Sequence, residues 1–216
     1  MIKMIAFDFD GTIADTLPMC IEIFKKSVSP YAGHELSESE IMQTSGLNEK
    51  GMIKSIINDN WEPALNDFYI NYEKMHEICN KPFPGISDLI TFLKEKNIIV
   101  SLITGKGKKT CYTSLCKLNM KNCFEDILTG NEKYRNKSDS IKSLLKKHSV
   151  KNNEFYYIGD AVSDVKACIQ SNVTCLSAAW ADNCDIQSLN DINPNLTFYS
   201  VIDLKKYLEK ELAHNK

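Results

Sequence analysis

Met4-Ile5-Ala6-Phe7-Asp8-Phe9-Asp10-Gly11-Thr12 is the stretch from which the rest of the chain is read. An apolar run, short enough to be a buried strand, ends on two carboxylates one residue apart and then a glycine. In extended backbone, residues i and i+2 face the same way, so Asp8 and Asp10 can address one site. Two anions so close are costly unless a cation sits between them or one holds a proton, and either outcome serves chemistry. The plainer alternative is a solvated Asp-x-Asp-Gly turn.

The same apolar pattern recurs at Ile98–Ile103, Phe155–Ile158 and Val173–Leu176. Between these runs, Ile86, Leu89, Ile90 and Leu93 fall at helical spacing, as do Ile141, Leu144 and Leu145, and Val162, Val165, Ala167 and Ile169 are compatible with it. Strands alternating with helices predict βαβ units, hence a doubly wound, Rossmann-like parallel sheet in an α/β domain, with ligands beyond the carboxyl ends of the strands. From residue 17 to residue 81 the alternation breaks. Helices are predicted over Leu17–Val28, from Ser37, from Lys50, and from Trp61 to about Cys79, until Lys81-Pro82-Phe83-Pro84-Gly85 punctuates the chain. The expected organisation is an α/β core of residues 1–16 and 82–216, with an all-helical insertion over 17–81.

A second acidic pair follows the third apolar run: Gly159-Asp160-Ala161-Val162-Ser163-Asp164. Asp160 stands at the strand end and Asp164 one helical turn later, so the two can share a face. The competing reading makes Asp160 or Ser163 a helix cap. Both acidic pairs would converge on one sheet edge, and oxygen ligands without histidine suit Mg²⁺, which takes carboxylates and a phosphate. Ile98–Ile103 runs into Thr104-Gly105-Lys106, offering a hydroxyl, free backbone N–H groups and a helix beginning near Gly107, all suited to an anion. Gly105 to Thr110 is no P-loop, since that motif would need glycine at Leu102 and Ser or Thr at Lys109. Arg135-Asn136-Lys137-Ser138 precedes the Ile141 helix, and Lys137 can neutralise both a phosphate and a carboxylate.

Composition narrows the partners. Among 216 residues, 26 Lys plus Arg stand against 28 Asp plus Glu, so no broad positive field exists for nucleic acid. Arg135 is the only arginine, which nearly removes bidentate guanidinium clamps. No run approaches the ~20 apolar residues of a membrane span, and the start turns acidic too soon for a secretory signal. Eight cysteines show no C-x-x-C and the four histidines no zinc spacing, so scattered reduced thiols and a cytoplasmic location are expected.

In this order the four elements resemble the haloacid dehalogenase superfamily, in its phosphatase branch with a helical cap of the kind found in phosphoglycolate phosphatase. Asp8-Phe9-Asp10-Gly11-Thr12 matches the D-x-D-G-T motif, Ile103-Thr104-Gly105 the second motif, Lys137 the third-motif lysine, and Gly159-Asp160 through Asp164 the G-D-x-x-x-D motif. Many relatives carry Lys-Pro where this chain has Lys137-Ser138, with Ser138 then expected to cap the helix. The resemblance implies that Asp8 is the nucleophile, that Asp10 is the acid and base, and that Thr104, Gly105 and Lys137 bind the phosphoryl group. Mg²⁺ would be held by Asp8, the Asp10 main-chain carbonyl and Asp160, with Asp164 a ligand or a partner of one. Asp15 is expected to cap the first cap helix, with Thr16 competing.

The implied partner is a small phosphate ester, met by a monomer or weak homodimer. In the cap, Thr44-Ser45-Gly46-Leu47 falls where relatives place a specificity loop. Lys50 and Lys106 are candidates to touch the substrate, while Phe68, Tyr69 and Tyr72 read as cap core. A sugar phosphomutase of the same family stays open. So does a receiver-like signalling domain, although that is shorter, lacks the cap, and takes phosphate on a later strand.

Overall fold

All four residues of the first strand, β1 (Met4–Phe7), are buried. The computed structural model of the chain describes residues 1–134 and 137–213. Four helices follow β1 without an intervening strand: α1 (Leu17–Ala32), α2 (Glu38–Gln43), α3 (Glu49–Ile56) and α4 (Trp61–Met75). The chain then alternates through α5 (Ile86–Glu95), β2 (Ile99–Ile103), α6 (Lys108–Lys117), β3 (Ile127–Leu128), α7 (Lys137–His148) and β4 (Phe155–Gly159). It finishes with α8 (Val162–Ser171), β5 (Thr174–Ala178), α9 (Ile186–Ile192), β6 (Thr197–Phe198) and α10 (Val201–Ala213).

The strands form one parallel sheet in the order β3-β2-β1-β4-β5-β6. This is the doubly wound α/β architecture that the alternating pattern predicts. Met4 and Ala6 face a cluster with Ile141, Leu144, Val165 and Leu189. Ile5 and Phe7 face the opposite one, with Leu89, Leu93, Leu115 and Leu204. A strand covered on both sides must be apolar at every position, so β1 shows no alternation. The half-buried pairs Ile127–Leu128 and Thr197–Phe198 are too short to show any period, and neither is legible as a strand.

Register brings the strand ends level. Phe7 lies opposite both Leu102 and Ile158, and the Asp8 N–H donates to the Ile158 carbonyl at 2.8 Å. Winding direction reverses between β1 and β4, and the crevice at such a switch point is where ligands sit in sheets of this type.

Helices α1 to α4 bury a cluster of their own around Ile21, Phe24, Val28, Ile53 and Phe68, with the Phe24 and Phe68 rings 4.7 Å apart. Helix α2 begins after Ser37 as expected, capped by a reciprocal Ser37–Glu40 pair. Helix α3 begins one residue before Lys50, because the Asn48 side chain accepts from the Gly51 N–H. Helix α4 stops at Met75, short of Cys79, where His76 turns inward to reach Ser114 of α6. The chain returns beside its starting loop, with the Phe83 N–H on the Ile13 carbonyl at 2.8 Å. Among the described residues no helix is long and apolar enough to cross a membrane.

Candidate active site

The site begins with the turn after β1. Gly11 has φ +71°, which side-chain-bearing residues rarely adopt, and a Cβ there would lie 2.2 Å from Asp160 Oδ2. Only glycine lets the first loop close against the end of β4. Thr12, next in line, donates its hydroxyl to Asp160 Oδ1 at 3.1 Å, and Trp180 Nε1 donates to the Thr12 carbonyl at 3.2 Å. Thr16 stands at the N-cap of α1, but its hydroxyl goes to Asp10 Oδ1 instead of the helix. The expectation that Asp15 caps α1 therefore fails, and Thr16 is a partner of the acidic pair.

Three carboxylates converge. Oxygens of Asp8, Asp160 and Asp164 all lie within 4.8 Å of one another. Lys137 Nζ reaches Asp8 Oδ2 at 2.6 Å and also contacts Asp164 Oδ1. Lys137 is the first residue of α7, so Ser138 lies inside the first turn and is not the cap expected of it; Arg135 falls outside the described residues. Asp164, with no exposed side-chain area, also accepts the Ala161 N–H at 3.1 Å. Ala161 is the N-cap residue of α8, so neither Asp160 nor Ser163 takes that position.

Burial pushes the Asp8 carboxyl up to about 7, with Asp164 and Asp10 adding to the rise and Lys137 opposing it. Burial likewise pushes Asp160 well above the usual carboxylate range, reinforced by Asp8 and Asp164. Burial works against charge on Lys137 too, yet Asp164 and Asp8 hold it above its ordinary value. A single ammonium thus faces three carboxylates, of which Asp8 and Asp164 are buried. Hard, closely spaced oxygen donors still short of positive charge are the chemistry of a divalent-cation site, so these residues fit Mg²⁺.

Asp10 faces the other way. Its Oδ1 lies 2.7 Å from Lys106 Nζ, which also donates to the Tyr72 hydroxyl at 2.7 Å. Tyr72 in turn sits 2.7 Å from Ser114 Oγ, which lies 2.7 Å from His76 Nε2. Tyr72 and Phe68 belong to the apolar cluster of α1 to α4, and both also line the cavity beside Asp10. Thr104 is buried at the end of β2, its hydroxyl accepting from the Lys106 N–H at 3.1 Å, and Gly105 lines the cavity.

Lys50 is not brought to the site, since its Nζ pairs with Glu132 at 2.8 Å and lies over Trp61. Its neighbour Glu49 is there instead, buried, accepting from the Gly107 N–H at 2.7 Å and the Thr110 hydroxyl at 3.2 Å. Nothing in the sequence singles out Glu49; Thr12 is the last residue of the first motif, and Thr16 carries no signal of a role at the site beyond nearness to that motif.

Comparison with known proteins gives the family and the fold. The profile of the haloacid dehalogenase-like hydrolases matches residues 5–178. The chain is 25% identical to the phosphoglycolate phosphatase of Nitrosococcus oceani over 96% of this chain and 97% of that one. In fold it is similar to a hydrolase from Pseudomonas syringae, with a TM-score of 0.80 at 22% identity over 96% and 98% of the two chains. A haloacid dehalogenase-like family hydrolase from Streptococcus pneumoniae superposes with a TM-score of 0.77 at 20% identity, again covering 96% and 98%.

Proposed function

The chain belongs to the haloacid dehalogenase-like hydrolases, and from that membership we propose that it is a Mg²⁺-dependent phosphatase acting on a small phosphate monoester through an aspartyl-phosphate. The observation that carries the reading is Lys137 set between Asp8 and Asp164, with Asp160 completing the carboxylate cluster. In the first step an Asp8 oxygen attacks phosphorus in line while the ester oxygen leaves, and Asp10 supplies the proton that the departing alkoxide needs. In the second, Asp10 takes a proton from water as its oxygen attacks the phosphoryl group on Asp8, releasing phosphate and restoring the carboxylate.

Lys137 holds Asp8 aimed and offsets the charge carried by the phosphoryl oxygens. Thr104 and the Gly105 backbone complete the phosphate cradle, and Lys106 and Thr16 orient Asp10. Asp8, the Asp10 main-chain carbonyl and Asp160 would hold Mg²⁺, while Asp164 acts through Lys137 and the Ala161 N–H. When bound, Mg²⁺ supplies positive charge to the transferring phosphoryl group. The domain reading, core 1–16 and 82–216 with cap 17–81, is part of the proposal. It is supported by the separate apolar cluster of α1 to α4.

The test is phosphate release from a panel of glycolate, sugar, nucleotide and pyrophosphate esters with Mg²⁺ present, then with a chelator. Asp8→Asn should lower turnover by about 10⁴-fold or more without lowering the unfolding midpoint. An Asp8→Asn protein that still turns over defeats the mechanism. A stoichiometric burst of the alcohol, with the phosphoryl group kept on Asp8 and then passed to a phosphorylated sugar to give a bisphosphate, would identify a phosphomutase instead.

A further inference from the structure

Beside Asp10, a cavity of about 110 Å³ opens between the helices α1 to α4 and the tips of the sheet. Much of its wall is apolar, with Ile21, Phe24, Ile41, Leu47 and Phe68 among the residues that form it. The charged residues on its lining are Asp10, Glu49 and Lys106, and each already has a partner. Lys106 lies on Asp10 at 2.7 Å, and Glu49 is bound to the Gly107 N–H and the Thr110 hydroxyl at the start of α6.

Off the lining, Lys50 and Lys54 pair with Glu132, Lys137 with Asp8 and Asp164, and Lys109 lies over the Tyr69 ring at 4.1 Å. Among the described residues that line the cavity, no cation is left to receive an anion. A charged group entering an apolar space without a counter-ion loses its hydration and gains little in return. A carboxylate would meet Glu49 as well. An ammonium would share a small volume with the Lys106 ammonium.

We infer that this cavity takes an uncharged leaving group with an apolar face, and that it rejects esters whose alcohol carries its own carboxylate, phosphate or ammonium. Its volume corresponds to roughly four water-sized groups, at about 30 Å³ for each. The inference rests on the reading of Asp8 and Asp10 as the hydrolytic pair, because that reading places the ester oxygen at Asp10 and the rest of the alcohol in this space.

The test compares kcat/KM of the Mg²⁺-loaded protein for butyl phosphate, 2-phosphoglycolate and phosphoethanolamine, with p-nitrophenyl phosphate as a general reporter of hydrolysis. Butyl phosphate should exceed both charged esters by about tenfold or more. Met42, on the lining and 38% exposed, offers a place to add an unpaired cation without burying it fully. Met42→Lys should raise the phosphoglycolate-to-butyl phosphate ratio by about tenfold, while Met42→Gln moves that ratio by less than about twofold. Equal or faster use of either charged ester by the wild-type protein overturns the inference and leaves the hydrolytic reading standing. A ratio unmoved by Met42→Lys overturns it as well. Failure of all four esters to release phosphate overturns the hydrolytic reading and the inference together.

Discussion

The tips of β1 and β4 and the wall supplied by α1 to α4 face each other across Asp10, and they are built on opposite principles. At the strand tips, charge is concentrated. Three carboxylates crowd one ammonium, and burial pushes Asp8 and Asp160 upward because the cluster lacks positive charge. On the helical side, charge is paired off, with Lys106 on Asp10 and Glu49 on α6, and apolar side chains fill much of the remainder. The first region is suited to moving a phosphoryl group, a task that needs fixed, strong electrostatics. The second is suited to accepting a shape. Strand register fixes the first to within a residue, whereas volume and polarity alone are enough for the second.

That contrast can be broken most severely at Lys137. Lys137→Met should cost about 10²- to 10³-fold in kcat/KM, since it removes the only ammonium described within hydrogen-bond reach of Asp8 and leaves Asp164 without its cationic partner. Steady-state assays check this, and a loss under tenfold would mean that the strand tips do not depend on concentrated charge. Next comes Gly11→Ala. A methyl group at φ +71° directed into Asp160 should lower stability by about 2–3 kcal/mol and disturb the carboxylate cluster, as read from a urea midpoint and from activity together.

A smaller effect is expected on the helical side. Tyr72→Phe removes one buried hydroxyl between Lys106 and Ser114, for about 1 kcal/mol in a denaturant titration. Its kinetic effect should fall well below that of Lys137→Met. The smallest concerns pH. Burial holds His76 below its ordinary 6.5, with Lys106 and Lys117 contributing. The folded protein therefore resists taking a proton that the unfolded chain accepts. This contribution to stability is complete above pH 6.5 and is lost as pH falls through 6.5 toward the lowered folded value. Between about pH 8 and about pH 5.5, the unfolding midpoint of the wild type should fall further than that of His76→Gln. Equal losses would show that His76 is not held neutral.

How far the sequence disclosed all this follows the same division. Asp8, Asp10 and Asp160 were legible because a carboxylate directly after an unbroken apolar run has few places to go except the end of a buried strand. The central strands were legible for the same reason, and the short edge strands β3 and β6 were not. On the helical side, the prediction fell on Lys50 and the structure uses Glu49. Adjacent helical residues point about 100° apart, and the rotation of α3 is set by contacts that no local pattern reveals. One is the Asn48 cap. Another is Gly51, where a Cβ would lie 2.4 Å from the Glu132 carbonyl oxygen. Asp15 was misjudged, because Thr16 takes the N-cap position and gives its hydroxyl to Asp10, six residues earlier, instead of to the helix.

Glu49 has one more consequence. Its carboxylate belongs to α3, but the donors it satisfies stand at the start of α6, between strands β2 and β3 of the sheet. Any outward displacement of α3 would therefore leave the Gly107 N–H and the Thr110 hydroxyl without that acceptor. Displacement of α3 and exposure of the start of α6 would then be a single event, and the Gly107 amide proton, whose acceptor is Glu49, would report it by hydrogen exchange.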